Sequence, residues 1–355
     1  MEKEFVDNKK KSKTAFMAEY KALILDTVIS LSKDYCDKIE DIRDLIDTNI
    51  PKKLYRFRTF DDYSLDAFVM NKIYHSSPKK FNDPHDCLVY IDQKSIHKSL
   101  DSELNELADL KQLSNKLSSL DKMDNPITQE LKKIIEGRTI ENIHSQILDN
   151  IEVVRSQLHS IIESRTTTTY DFFRSHYKAS CFTENIHSTL MWAHYANYHK
   201  GFALEYDFTS NKSRCLECKS RCEDFAFSDL YPVIYSKDRY DATDLITCLC
   251  LYDILTLLLG LAVYNVIPDR LAYVKANVCK GMDWKYEQEW RSILVSNSSR
   301  SDIAIKPTAI YIGVDTSPVH EDILIRYARE KSIDIYKMKV DLHTKEFKLS
   351  YDKIE

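Results

Sequence analysis

"DWKYEQEWRSILV", residues 283–295, decides the fold class. Its second half is an aliphatic, β-branched run suited to a buried strand, and its first half carries charge into that run. Read as one extended strand, Glu287, Glu289 and Arg291 point to one side, and Tyr286, Gln288 and Trp290 to the other. Two carboxylates and a guanidinium entering a core are costly unless paired. They are either a strand end closed by an internal salt bridge or a catalytic carboxylate pair in which a like-charged neighbour tunes protonation.

Outward from this stretch, "KLYRFRTF" (53–60), "FALEYDF" (202–208), "YPVIYS" (231–236), "AIYIGV" (309–314) and "FKLSY" (347–351) also read as strands. Residues 14–49 read as helix, as do 188–199 and 243–277, with apolar residues at spacings of three and four. The strands are few and irregularly spaced, which predicts an α+β fold: a mixed central sheet with surrounding helices. From 95 to 163, Leu100, Leu104, Leu107, Leu110, Leu113, Leu117 and Leu120, then Ile140, Ile143, Ile147, Ile151, Val154, Leu158 and Ile161, form two amphipathic arms. The Pro-containing break at 122–128 makes them an inserted antiparallel helical hairpin. Its apolar seam packs either on the body or on a partner, a second copy included. "RTTTTY" (165–170) then leads back into the core. The expected organisation is an N-terminal helical segment (1–50), a core of 51–94 with 164–355, and the insertion at 95–163. A size prior of roughly 150 residues per domain also suggests two units in 355 residues.

Composition narrows the function. The net charge is −5, which argues against a general nucleic-acid binder. Only five glycines occur, at 137, 201, 260, 281 and 313. None are clustered, which excludes both a P-loop and a dinucleotide G-x-G-x-x-G, since each needs backbone to approach phosphate closely. The nine cysteines are an odd number, and the charged N-terminus lacks an apolar signal region, so a reducing cytoplasm is expected. "LITCLCLYDILTLLLGLAVYNVI" (245–267) is long enough to span a bilayer, but Asp253 at its centre favours a buried core helix and no membrane association. "CLECKSRC" puts Cys215, Cys218 and Cys222 together, one pair short of a structural zinc site. Inert thiols are the competing reading, and no metal is expected.

Four stretches carry more polar function than folding requires. Arg56 and Arg58 share one face of the strand at 54–58, either at an exposed sheet edge or as two planar donors for carboxylate or phosphate. In "HSSPKKFNDPHDC" (75–87), Ser76 or Ser77 ends a strand, and Asn82 and Asp83 form an Asx-turn before Pro84 or serve a site. Asp83, His85 and Asp86 are candidate metal ligands without a supporting spacing rule. In "MWAHYANYHKGFALEYD" (191–207), Trp192, His194, Tyr195, Tyr198 and His199 either pack in the core or line an aromatic pocket. The fourth is the Glu-x-Glu stretch itself.

In this order, "LYRFR" (54–58), "NKIYHSSPKKFNDPHDC" (71–87), "LMWAHYANYHKGFALEYD" (190–207) and "WKYEQEWR" (284–291) resemble a bacterial family, domain of unknown function 2971. The resemblance runs from about residue 52 to 315 and departs at the two insertions, 95–163 and 210–228. That family implies no reaction. A looser resemblance, to ADP-ribosyltransferases of the arginine–serine–glutamate class, implies one. By that resemblance Arg56 would hold the pyrophosphate of NAD, and Ser76 or Ser77 would position the nicotinamide ribose. Glu289 would stabilise the oxocarbenium-like centre, and Glu287 would orient an unknown macromolecular acceptor. Arg58, Asn82, Asp83, Trp192, His194 and Tyr195 would complete the NAD contacts. The spacing departs from that class, with some 210 residues between Ser77 and Glu289. The implied protein is an NAD-using transferase or NAD glycohydrolase, an effector in a toxin or phage-defence setting. Two other readings stay open. One is a non-enzymatic sensor or interaction protein working through the hairpin. The other is a metal-dependent nuclease using Asp83, His85, Asp86 and the late glutamates.

Overall fold

A computed structural model of the chain describes residues 10–25, 35–120, 132–133, 135–209, 230–260, 269, 271–295 and 302–354. The fold is α+β, built on a mixed eight-stranded sheet in the order β12-β11-β10-β4-β1-β3-β8-β5. In chain order its strands are β1 (Leu54–Arg58), β3 (Tyr177–Thr183), β4 (Phe202–Tyr206), β5 (Leu230–Pro232), β8 (Glu289–Val295), β10 (Ala309–Ile312), β11 (Asp334–Val340) and β12 (Leu349–Lys353). Only β10 and β11 run parallel; the other neighbours are antiparallel. Two small sheets flank it, β2 (Lys72–Tyr74) with β9 (Asp302–Ala304) and β6 (Ile234–Ser236) with β7 (Cys279–Gly281).

The period of two in the strands gives the sheet two apolar faces, and each has its own core. One face carries Leu54, Phe182, Phe202, Leu204, Trp290 and Ile310 into the larger core. The other carries Tyr55, Phe57, Ala203 and Tyr311 into a smaller, tyrosine-rich core with Trp192. "YPVIYS" is divided between two sheets, β5 and β6.

Helices α1 (Lys13–Leu25), α2 (Tyr35–Asn49), α3 (Asp62–Val69), α4 (Gln93–Ala108), α5 (Leu110–Leu120), α6 (Ile140–Ser175), α7 (Thr189–Tyr195), α8 (Thr243–Leu259), α9 (Ala272–Val278) and α10 (Pro318–Lys331) surround the sheet. The helix expected over 14–49 is present as α1 and α2, and residues 26–34 between them lie outside the described residues, as does the 122–128 turn of the hairpin. The first hairpin arm is not continuous. Asp109 leaves helical geometry, with φ −89° and ψ 116°, and its carboxylate accepts the Gln112 amide at 2.8 Å, starting α5 afresh.

The second arm overruns its expected end. "RTTTTY" is helical within α6, because Thr166 and Thr169 are buried and tertiary packing overrides the β-branched preference. The apolar seam of α4 and α6 is filled by the chain's own α8. Ile96, Leu100, Leu104, Ile147, Ile151 and Leu158 join Ile246, Cys250, Ile254 and Leu258 in one cluster. The 245–267 run thus contains a core helix, α8, whose Asp253 is held by both arms of the Arg165 guanidinium. Gly260 closes α8 with φ 71°. Among the described residues, no helix is long and apolar enough to cross a membrane.

The opening stretch is a strand only from Glu289 onward. Residues 282–287 wind as a 3-10 turn, and Gln288 takes φ 46°, so the expected alternation of Tyr286, Gln288 and Trp290 does not hold. Trp290 faces the larger core, stacked on Phe16 with ring centroids 6.1 Å apart.

Candidate functional site

Glu287, Glu289 and Arg291 do converge, around a cation that the sequence pattern did not single out. The Lys280 ammonium donates to Glu287 Oε2 at 2.5 Å and to Glu289 Oε2 at 3.0 Å. It lies 4.9 Å from the Trp284 ring centroid, close enough for a cation–π contact. Arg291 donates from Nε to Glu289 at 2.8 Å and grips Asp86 with both terminal nitrogens, at 2.6 and 2.7 Å. Its Nη1 also reaches the Asn277 carbonyl at 2.7 Å. Asp86, Lys280, Glu287, Glu289 and Arg291 are all buried, Arg291 completely. Three carboxylates therefore share two cations in a site closed to bulk water.

The electrostatics follow from that count. Burial alone would raise the Glu289 carboxyl, but Arg291 and Lys280 outweigh it and hold it well below the ordinary range. Glu287 goes the other way: burial first, then the charge of Glu289, raises it against the pull of Lys280. Burial opposes the Lys280 charge, yet Glu289, Glu287 and Asp86 together leave it more firmly protonated than usual. The excess negative charge thus falls on Glu287. From there a relay leads outward, with the Tyr195 hydroxyl donating to Glu287 Oε1 at 2.5 Å and accepting from exposed Asn82 at 3.0 Å.

Arg56 and Arg58 form a second cluster of the opposite kind. β1 is an inner strand, flanked by β4 and β3, so the exposed-edge expectation for this pair is corrected. Register places Arg56 beside Leu204 and Arg58 beside Phe202, on the larger-core face. Glu289 pairs with Thr183, and Thr183 with Tyr55, on the other face. The Arg56 guanidinium lies 5.7 Å over the Phe182 ring and donates from Nη2 to the Tyr74 carbonyl at 3.1 Å. Its Nη1 is buried without a hydrogen-bond partner. Burial, with Arg58 beside it, pulls the Arg56 guanidinium down to about 9, and burial lowers Arg58 too. The carboxylate that acts on Arg58, Asp61, spends its oxygens on the Ser64 amide and the Ser64 and Thr59 hydroxyls. Among the described residues neither guanidinium has an ion-pair partner.

The remaining expected site residues are placed as follows. Ser76 pairs through its backbone with Ala179, and Ser77 caps a 3-10 turn while its hydroxyl donates to the Arg174 carbonyl at 2.7 Å. Neither serine is hydrogen-bonded to a glutamate. Asp83 accepts the His85 amide at 2.9 Å as an Asx-turn, whereas Asn82 reaches Tyr195 instead of closing a turn. Trp192 is fully buried, donating to the Ile186 carbonyl at 2.8 Å and packing edge-on against Phe57, so it belongs to the core. His194 is exposed beside Tyr195 and Tyr286. The structure thus brings Glu287, Glu289, Tyr195 and Asn82 together, and leaves Arg56, Arg58, Ser76 and Ser77 apart from them.

Asp86 meets the late glutamates, as the nuclease reading required, but around Lys280 and Arg291. No group of three or more His, Cys, Asp or Glu placed to hold a metal occurs among the described residues. Cys215, Cys218 and Cys222 lie outside them. Lys280 and Asn277 were missed. The available signal was the run "LAYVKANVCKGM", where two lysines interrupt apolar sequence: lysine is almost never buried unless paired. Both Lys275 and Lys280 are buried, and Lys275 pairs with Asp269 at 2.6 Å.

The "HKGF" motif joins the two faces. Asn197, Tyr198 and His199 all take left-handed φ angles, and the turn delivers Gly201 against β1, where an added Cβ would lie 2.1 Å from the Arg58 carbonyl. Searches of curated proteins and of solved structures return no match to this chain. Residues 191–292, from α7 to the Arg291 network, match the model of the DUF2971 family of proteins of unknown function, in agreement with the resemblance carried by the motifs.

Proposed function

We propose that this chain binds a phosphate-bearing small molecule through Arg56 and Arg58, with NAD the first candidate among such ligands. The observation that carries the reading is the buried, unpartnered Nη1 of Arg56 beside a second guanidinium that also lacks an ion-pair partner. Two half-buried like charges without an anion repel each other, and a phosphate or pyrophosphate supplies what they lack. Arginine suits this role because its planar donors match two oxygens at once. The binding half of the NAD reading is therefore favoured, whereas the expected meeting of Arg56 with Glu289 has no geometric support.

The test is thermal or urea unfolding of the full chain with NAD, ADP-ribose or pyrophosphate. A ligand at a hundred times its Kd stabilises by about 2.7 kcal/mol. The gain should disappear in Arg56→Met and weaken with added salt. No stabilisation by any of the three, or a gain unchanged in Arg56→Met, rejects the reading.

A second reading, NAD cleavage at the glutamate pair, has one observation in its favour. A groove of about 1100 Å³, lined by Glu184, Asn185, His187 and Gln288 among others, adjoins the segment between Glu287 and Glu289. Since Glu289 is saturated by Arg291 and Lys280, Glu287 with Tyr195 would be the reactive group. Nicotinamide release measured in wild type, Glu287→Gln and Glu289→Gln separates the readings: a binding protein releases none.

A further inference from the structure

We infer that the Arg56–Arg58 site is a nucleotide site whose base platform is Tyr63, supported by Tyr74. This rests on the phosphate-binding reading above and names the ligand class. The two arginines and the two tyrosines are tied through one short circuit of chain. Arg56 Nη2 holds the Tyr74 carbonyl, while the Tyr74 ring lies 5.6 Å from the Tyr63 ring at 52°. Tyr63 sits in the first turn of α3, two residues past Asp61, the carboxylate that acts on Arg58.

Tyr63 is 73% exposed, and its ring meets that of Tyr74 in a tilted contact. Tyr74 is itself fixed: its backbone holds Arg56, and its hydroxyl donates to Asp66 at 3.3 Å. An exposed aromatic ring that contacts Tyr74, whose carbonyl is held by one of two guanidinium groups without an ion-pair partner, brings together the two parts that a nucleoside phosphate requires. One is a cation pair for the phosphate, and the other is a π-face for the base. Inorganic phosphate or a sugar phosphate would use only the first.

Calorimetric titration of the full chain with AMP, ribose 5-phosphate and pyrophosphate, in wild type and Tyr63→Ala, tests this. Tyr63 is largely exposed, so the variant is expected to fold, and its circular dichroism checks that. Wild type should bind AMP about tenfold more tightly than ribose 5-phosphate, and Tyr63→Ala should erase that difference while leaving pyrophosphate affinity unchanged. If AMP binds no better than ribose 5-phosphate, or Tyr63→Ala keeps the full preference, the base platform is refuted and the phosphate site stands. If wild type binds none of the three, the phosphate site fails, and the platform with it.

Discussion

The two charged clusters sit on opposite faces of one sheet, and each is centred on an arginine, yet they are finished differently. Around Arg291, every guanidinium nitrogen has a partner, and Asp86, Glu289 and the Asn277 carbonyl supply them all. At Arg56, one terminal nitrogen reaches a carbonyl and the other reaches nothing. A buried ion network that is internally complete has no vacancy for a ligand; its removal simply strands charge. A half-buried cation pair that is incomplete costs the fold stability and keeps donors available. That difference is why the proposed binding is placed at Arg56 and not at the glutamate stretch, whose polar groups already pair with one another.

The comparison breaks most decisively at Arg291. Arg291→Met leaves Asp86 and Glu289 buried and half-paired, and should cost about 3–5 kcal/mol by urea unfolding at pH 7. A loss under about 1 kcal/mol would mean that the network does not hold the Asp86 loop against β8. Arg56→Met should do the reverse in the absence of ligand. Removing an unpaired buried charge should leave stability unchanged or raise it by about 1 kcal/mol, while ligand stabilisation is lost. If it destabilises like Arg291→Met, the two clusters are the same kind of object.

The acid side sharpens the contrast within the paired cluster. Glu289 is depressed, so its contribution is complete above its unfolded value of 4.5 and is lost as pH falls below it. Glu287 is raised, so its ionisation costs stability from 4.5 upward. Glu289→Gln should thus destabilise at pH 7 and converge on wild type in acid. Glu287→Gln should stabilise at pH 7, with the gain vanishing below pH 4.5. The same sign for both variants would refute the assignment of excess charge to Glu287. The smallest effect is expected of Tyr195→Phe, which removes one donor to Glu287 and one acceptor for Asn82, at about 1 kcal/mol. Urea midpoints of wild type and variant measure it.

Much of the architecture was legible because it rests on periodicity. The alternation in "KLYRFRTF" correctly separated Leu54, Arg56 and Arg58 from Tyr55 and Phe57, and the two sets do face different cores. The interruption at Asp109 and the helical "RTTTTY" were not legible: the first depends on a side-chain cap and the second on burial by neighbours distant in sequence. In the site, Glu287, Glu289 and Arg291 were visible as a costly group, but Lys280 and Asp86 as their partners were not, since no local pattern couples residues 86, 280 and 291.

The sequence by itself determined which residues had to be explained: a Glu-x-Glu-x-Arg run entering a strand, two arginines on one strand face, and too few glycines for a phosphate loop. Local spacing is enough for that, because it sets which side chains share a face and which are expensive to bury. Only the tertiary structure decided which of those charges were already satisfied. Neutralisation is a contact between segments up to 205 residues apart, as with Asp86 and Arg291, and register across β1, β3 and β8 put the paired and unpaired clusters on opposite faces.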